Sequence, residues 1–314
     1  MALPRITVLG SLNIDVVSYV PHHPLPGETL TANHFNTSPG GKGANQAVAC
    51  AKLSRTSTLA SPSAHVSMIG AVGRDAFGPI LTDSLTSYGV DVAGVAQLEG
   101  AKTGVAVIVV DEPTGQNRIM LSPEANYSLQ PEQFASLPEP RPDLLIMQLE
   151  IPLPTVLQAL DAARKAGVPV LLNPAPAVEL PASAYNGLAH LLVNETEAAL
   201  LSGISESELE SDAGLEAAGN LFIQRGVQNV IITLGGRGVY YVTKAGQRAL
   251  VPALKTTVVD TTAAGDTFAG SYALAVVREG FDIETAVRNA NVAAAKTVAK
   301  RGAQVSIPWK DELE

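Results

Sequence analysis

Cysteine is almost absent from this chain: Cys50 is the single one among 314 residues. An intramolecular disulfide framework is thereby excluded, and the composition suits a reducing compartment. Aromatic side chains are scarce too, at 4%, so Ala, Val, Leu and Gly have to build the core. Small aliphatics of this kind suit helices packed closely on a parallel sheet. Basic residues are outnumbered, 21 Lys and Arg against 30 Asp and Glu, for a net charge of −9. With no cluster of cations to neutralise phosphates, a nucleic-acid partner is argued against. No apolar run approaches the roughly 18 residues of a membrane span. ITVLG near the start is too short for the apolar region of a signal peptide. KDEL occurs at 310–313, but Glu314 follows it, so it is not the terminal retrieval signal. The chain reads as soluble and cytoplasmic, with nothing that bars entry to the nucleus. Finally, none of His22, His23, His34, His65 and His190 has a second ligand at metal-binding spacing. A zinc hydrolase or a Ser/His/Asp enzyme is therefore poorly supported.

What is present is a chain 46% hydrophobic, enough for a large core in one α/β domain or two smaller ones. Strands are expected at 6–10, 14–20 and 29–35, with the Pro-rich PHHPLPGE turn joining the last two. A helix follows Gly43 to about Leu53, and the Ser/Thr-rich stretch 54–65 reads as a surface insertion. VSMIGAVG, a helix over 76–88 and two strands at 103–110 and 117–121 come next, the latter pair joined as a hairpin by DEPTGQ. From residue 143 strands and helices alternate: LLIMQLE, VPVLLN, HLLVN and VIITLG are the strands, which implies a parallel sheet. Two Ala-rich helices, about 264–280 and 283–300, close the chain, and their apolar residues lie on most faces. No linker or repeat stands out, so residues 1–314 read as one α/β domain. The N-terminal third supplies a small antiparallel sheet, from about 12–37 and 103–121.

Open parallel sheets bind ligands beyond the carboxyl ends of their strands. Glu150, Asn173, Asn194 and the Gly235–Gly238 stretch all follow such ends, so the fold should gather them on one rim. In DTTAAGDTFAG (260–270), small residues precede Asp266 at the first turn of a helix, where free N–H groups and the dipole favour anions. Asp266 then has two readings. It complements the helix dipole, or it takes a proton from a hydroxyl that attacks a bound phosphoryl group. SPGGKGANQA (38–47) is a Gly-rich loop opening a helix. It is not a Walker loop, because Asn36 stands where the first Gly belongs and Gly43 replaces the Ser/Thr. It is a tight turn with a solvated Lys42, or a loop that lets a polyhydroxyl ligand approach. NETEAALL (194–201) has the form of a capping box, with Asn194 as N-cap and Glu197 three residues on. TLGGRG (233–238) is followed by VYYV, a strand, so it is a hairpin turn or a loop under a nucleotide, not a dinucleotide fingerprint.

Taken together, GSLNIDVV, PGETLTANHF, GGKGANQA, MQLEIPL, NPAP, NETEA, IITLGGRGV, DTTAAGDTFAGSYALA and KRGAQVSIPW resemble the ribokinase family of carbohydrate kinases across essentially the whole chain. The pairing of GGKGANQA with DTTAAGDTF is the most specific part. The resemblance implies a three-layer α/β/α core around a mostly parallel sheet of the nine-stranded type, with a small β-sheet lid that also forms a homodimer contact. It implies ATP-dependent phosphorylation of D-ribose at the 5-hydroxyl. By position, Asn13 and Asp15, the loop Gly41, Lys42, Gly43, Ala44 and Asn45, and Glu150 match sugar contacts. Asp266 matches the catalytic base, with the N–H groups of Ala263, Ala264 and Gly265 as an anion hole. Asn194, Thr233, Leu234, Gly235, Gly236, Arg237, Gly238 and Asn291 match nucleotide contacts, Gly265 among them, and Glu197 a residue linked to Mg²⁺ through water. Asp260, Thr262, Thr297, Lys300, Gly302 and Ser306 match a K⁺ site, several through carbonyls. The chain departs from the family in the 54–65 insertion and in Asn291, where some members have His.

Two rivals remain at this stage. The first is another acceptor within the family: deoxyribose, fructose or a nucleoside. NID with GGKGAN favours ribose, since carboxamide and carboxylate groups satisfy adjacent ring hydroxyls. The second is a non-catalytic sugar or nucleotide sensor, which would be expected to lose Asp266 or the AAG turn; both are present.

Overall fold

A computed structural model describes residues 2–313. The chain opens with β1 (Arg5–Leu9), β2 (Asn13–Val20) and β3 (His34–Gly40), then α1 (Lys42–Ser54), β4 (His65–Gly73), α2 (Phe77–Ser87) and β5 (Asp91–Leu98). Next come β6 (Gly104–Asp111), β7 (Asn117–Ser122), β8 (Leu144–Met147), α3 (Leu153–Ala166) and β9 (Val170–Leu172). A single turn of helix, α4 (Ala182–Tyr185), leads to β10 (His190–Asn194), α5 (Glu195–Ser202), α6 (Asp212–Gln224) and β11 (Asn229–Thr233). The hairpin β12 (Val239–Thr243) and β13 (Arg248–Val251) precedes α7 (Ala264–Val276) and α8 (Ile283–Val298).

These elements form a nine-stranded sheet ordered β13-β12-β11-β10-β9-β8-β1-β4-β5 and a separate four-stranded sheet ordered β3-β2-β6-β7. In the large sheet β11, β10, β9, β8, β1, β4 and β5 pair in parallel, and the hairpin is joined by antiparallel pairing, β12 on β11 and β13 on β12. Strand side chains alternate between faces, and the burial follows that alternation. Leu144, Ile146, Leu171, Leu192 and Ile231 enter one core with α1, α2, α7 and α8. Their neighbours Leu145, Met147, Leu172, Val193 and Ile232 enter the other with α3, α5 and α6. Helices therefore cover both faces, the three-layer arrangement expected. Because both faces are dry, the strands read as continuous apolar runs. Among the described residues no helix is long and apolar enough to cross a membrane.

Several boundaries differ from expectation. The third strand is not 29–35 but His34–Gly40. Its polar NTSPG half pairs with β2 as an edge strand, a place that tolerates Pro39. The small sheet is mixed rather than antiparallel, since β2 and β6 run parallel in its centre. β5, with its polar DVAGVAQL sequence, closes the edge of the large sheet and lay outside the periodicity read from the chain. The closing helices end earlier, at Val276 and Val298, the first just before a turn at Gly280 with φ +73°. α8 also keeps an exposed polar side, with Thr285, Arg288 and Asn289 outward. The 54–65 insertion is exposed from 57 to 62, while Arg55 and Ala64 at its ends are buried.

α1 and α7 lie in direct contact. A methyl group on Gly270 would come within 2.5 Å of the Ala49 Cβ, so the two helix backbones approach more closely than any side chain there permits. This crossing brings the N-termini of both helices to the same rim of the large sheet.

Candidate active site

The loop before α1 is pressed against the turn between β1 and β2. Gly41 caps α1 at φ +88°, and a Cβ there would meet the Asn13 backbone nitrogen at 2.7 Å. One at Gly43 would meet the Ser11 nitrogen at 2.5 Å. Only glycine fits both places. The Ala44 N–H donates to the Ser11 carbonyl, and the Asn45 N–H closes back on the Gly41 carbonyl. Glu150, just past the end of β8, ties the pieces together. Its Oε2 accepts from Ser11 Oγ at 2.6 Å, Asn13 Nδ2 at 3.2 Å and the Lys42 N–H at 3.1 Å.

Asn126 is a partner that sequence reasoning missed. Fully buried in a short helical turn at Glu124–Ser128, it accepts from the Leu12 N–H and donates to the Asn13 Oδ1 at 2.8 Å. It sits in an irregular segment with no periodicity or motif, so only the fold identifies it. Asp15 has its space from Gly40, where a Cβ would lie 2.2 Å from the carboxylate.

On the other helix, Ala263 is the N-cap of α7 with φ +60°, a left-handed conformation costly for a residue with a Cβ. The Ala264 N–H already reaches the Thr261 carbonyl at 3.3 Å. Asp266 follows in the first turn, buried, and each of its oxygens meets α1. Asn45 Nδ2 donates to Oδ2 at 3.1 Å and Gln46 Nε2 to Oδ1 at 3.0 Å.

The charges explain why this cluster holds. Burial lifts the Asp15 carboxyl to about 7, helped by Glu150 and Asp266 and opposed by Lys42. Burial alone would lower the Lys42 ammonium, but Asp266, Glu150, Glu197 and Asp15 outweigh it and hold the lysine above its usual range. Glu197 is raised by burial, against its hydrogen bond from the Asn194 N–H. Lys42 is thus a half-buried cation on the cavity wall among four carboxylates, not a freely solvated side chain.

A cavity of about 220 Å³ opens at this rim, lined by Lys42, Asn173, Asn194, Glu197, Thr233 and the Ala263–Asp266 turn. A second, of about 430 Å³ and mostly apolar, is lined by Gly235, Gly236, Gly238, Leu254, Phe268, Asn291 and Val298. Thr233, Thr261, Ala264 and Gly265 belong to both, so the start of α7 forms the wall between them. Of the strand ends expected on one rim, Asn173, Asn194 and the Gly235–Gly238 stretch meet there, while Glu150 lines neither cavity and is bonded to the Lys42 N–H.

The other expected site residues divide. Asn194 and Glu197 form the capping box, with Asn194 Oδ1 accepting the Glu197 N–H at 2.8 Å, and still face the first cavity. The 233–238 stretch is a hairpin turn between β11 and β12. Leu234 is buried, and Arg237 is engaged elsewhere, pairing with Glu195 and with the carbonyls of Leu209 and Glu210. Neither lines a cavity. Asp260 accepts from the Thr262 N–H and Oγ1 and from the Gly302 N–H, which clasps the 260–262 turn to the segment after α8. The Thr297 carbonyl accepts the Lys300 N–H, whereas the Lys300 ammonium pairs with Glu312. Ser306 is buried and bonds the Ala303 carbonyl, apart from that clasp.

Residues 3–310 match the pfkB family carbohydrate kinase profile. The chain is 44% identical to a ribokinase of Schizosaccharomyces pombe over 316 aligned residues, 99% of this chain and 96% of the relative. It is 36% identical over 306 residues to a deoxyribokinase of Salmonella typhi, 96% of this chain and 95% of that one. The structure of an Arabidopsis thaliana ribokinase complexed with ribose and ATP superposes with a TM-score of 0.87. That likeness is at 30% identity and covers 99% of this chain and 98% of the other.

The Asp15 charge predicts a pH effect on folding. A carboxyl held near 7 when folded, against its ordinary 3.8, stabilises the fold fully below about pH 3.8 and ceases to do so as pH rises through about 7. Asp15→Asn should therefore gain in melting temperature relative to the parent protein between about pH 4 and pH 8. A gap that stays constant across that range contradicts the assignment.

Proposed function

The chain belongs to the pfkB family of carbohydrate kinases, and from that premise we propose that it phosphorylates D-ribose at the 5-hydroxyl with ATP, giving D-ribose 5-phosphate and ADP. The observation that carries this reading is the position of Asp266: a buried carboxylate in the first turn of the helix whose start divides the two cavities. On this reading the sugar lies against Asn13, Asp15, the Gly41–Asn45 loop and Glu150. The nucleotide occupies the second cavity beside Gly235, Gly236, Gly238 and Asn291. Asn194 and Thr233 lie toward its phosphates, and Leu234 and Arg237 serve by shaping the turn.

Asp266 orients the 5-hydroxyl and takes its proton as the new O–P bond forms and the bond to the ADP oxygen breaks. N–H groups of the Ala263–Gly265 turn face the charge that gathers on the transferred phosphoryl group. The left-handed conformation of Ala263, strained for a residue with a Cβ, supports a turn shaped for that purpose. Lys42 lies among the carboxylates that would otherwise repel the anionic donor. Burial of the hydroxyl beside Asp266 limits transfer to water.

Two ions belong to the proposal. Glu197, a carboxylate on the first cavity, suits Mg²⁺ held through water, with the phosphates supplying the other oxygens. When bound, Mg²⁺ neutralises phosphate charge. Asp260 with the carbonyls of Thr297 and Lys300 is an oxygen set suited to K⁺, with Thr262 and Gly302 shaping it. Ser306 would have to contribute from beyond that clasp. A cation there steadies the 260–262 turn, and through it the start of α7.

A homodimer through the four-stranded sheet is also proposed. Phe35 and Met120, on its two edge strands and in registers that put them on one face, are exposed, an apolar surface suited to a second copy. A monomeric mass in solution at micromolar concentration contradicts it. A cytoplasmic location, with entry to the nucleus left open, belongs to the proposal and is supported by the single cysteine and by ATP as the donor.

The deoxyribokinase relative keeps 2-deoxyribose as a second reading. ADP formation from ATP and Mg²⁺ with D-ribose, 2-deoxyribose, fructose and adenosine, with and without K⁺, separates the readings. Ribose should lead 2-deoxyribose in kcat/KM by at least about tenfold, because a site built for a hydroxyl penalises its loss. Added K⁺ should raise turnover. A lead for another acceptor overturns the ribose assignment, and no K⁺ effect overturns the cation site.

A further inference from the structure

The two carboxamides that grip Asp266 are themselves gripped from behind. Gln46 donates both amide hydrogens forward, to Asp266 Oδ1 at 3.0 Å and to Asn173 Oδ1 at 3.1 Å. Its own oxygen accepts from Gln148 Nε2 at 2.6 Å. On the other side, Asn45 donates to Asp266 Oδ2 at 3.1 Å and its oxygen accepts from Gln304 Nε2 at 3.3 Å. Asn45, Gln304 and Asp266 are buried, Gln46 and Gln148 completely so, and Asn173 is half-buried on the cavity wall.

The direction of each bond follows from chemistry. An ionised carboxylate only accepts, so both carboxamides must present nitrogen to Asp266. Their oxygens then face away and need donors in a dry interior. Gln304 is oriented for that task, because its Oε1 accepts from Ser84 Oγ and its carbonyl from Lys52 Nζ.

Gln148 is the more telling of the two. With its nitrogen committed to Gln46, its Oε1 is buried and finds no donor among the described residues. Gly10 makes room for that oxygen, since a Cβ there would stand 2.1 Å from it. An apolar side chain of similar length would fill the place without an unpaired acceptor. A glutamine that leaves one atom unsatisfied is explained by what its other atom does.

We propose that Gln148, through Gln46, and Gln304, through Asn45, are positioning residues that hold one N–H against each oxygen of Asp266 and so aim its remaining lone pairs at the acceptor hydroxyl. The proposal rests on Asp266 being the base. Both glutamines are buried behind the carboxamides they hold, so each acts through Gln46 or Asn45. The charged groups that act on the aspartate from the elements around it are Lys42 on α1, Asp15 on β2 and Glu197 on α5, with Glu150 after β8 acting on Lys42 and Asp15. All four stay in place when a glutamine is changed.

The test is the pH profile of sugar-dependent ADP formation by Gln148→Met and Gln304→Met, beside Asp266→Asn. In Gln148→Met, kcat should fall about tenfold or more, with KM for ribose and ATP within about threefold of the parent. The acid limb of kcat should move to higher pH, because a loosened Gln46 stabilises the ionised carboxylate less. Melting temperature should change little, since the unpaired Gln148 oxygen is removed while the Gln46 oxygen is left without its donor. A purely structural glutamine would move the melting temperature and leave the pH profile alone. A folded variant with parental kcat and pH profile overturns the proposal for that glutamine, and failure of both to fold makes them structural and overturns it for both. Asp266→Asn keeps the two questions apart. It should lose about 10²-fold or more of kcat, and near-parental turnover there would remove the base assignment whatever the glutamines do.

Discussion

The contact between α1 and α7 is the constraint on which the site depends. Asn45 and Gln46 reach Asp266 across more than two hundred residues of sequence, and they do so because Gly270 lets the two helices touch. Separate those helices by the width of a methyl group and both hydrogen bonds to the carboxylate lengthen together. Everything else at the rim is arranged around that crossing. The GGKG loop enters α1 from one side, the strained Ala263 turn enters α7 from the other, and the two cavities meet where the helices begin.

Electrostatics add a second condition. Four carboxylates gathered in a partly buried site repel one another, and Lys42 is the cation among them. The protein manages this repulsion in different ways at each acid. Asp15 is held near neutral by burial, Glu150 collects a hydroxyl and two N–H donors, Glu197 is tied into a helix cap, and Asp266 is gripped by two carboxamides. Identical side chains thereby acquire distinct properties from their surroundings, which is how one site can bind a sugar, face a phosphate and move a proton.

Much of this was legible in the chain because it rests on local rules. The first turn of α7, the capping box at Asn194 and Glu197, and the hairpin at 233–238 follow from residue types at short spacing. Strand-end residues converged because a parallel sheet gathers them. What escaped was set by distant partners. The edge strand β3 is polar and carries Pro39, so its pairing with β2 shows only once β2 is in place. β5 alternates too weakly to stand out. The parallel pairing of β2 with β6 is a matter of topology that no window of sequence holds. Asn126, Gln148 and Gln304 are ordinary polar residues until the fold places them behind the site. Arg237 is the reverse case: a cation inside a nucleotide-like motif whose pairing with Glu195 only the fold reveals.

The central claim is that one hydroxyl of a sugar and one phosphoryl group meet at Asp266. It is tested most directly by a crystal structure of Asp266→Asn soaked with D-ribose and a non-hydrolysable ATP analogue. The account predicts the 5-hydroxyl within hydrogen-bonding distance of the residue-266 side chain and the terminal phosphate against the N–H groups of the Ala263–Gly265 turn. A sugar bound with a different hydroxyl toward residue 266, or a nucleotide whose phosphates point away from α7, would contradict it.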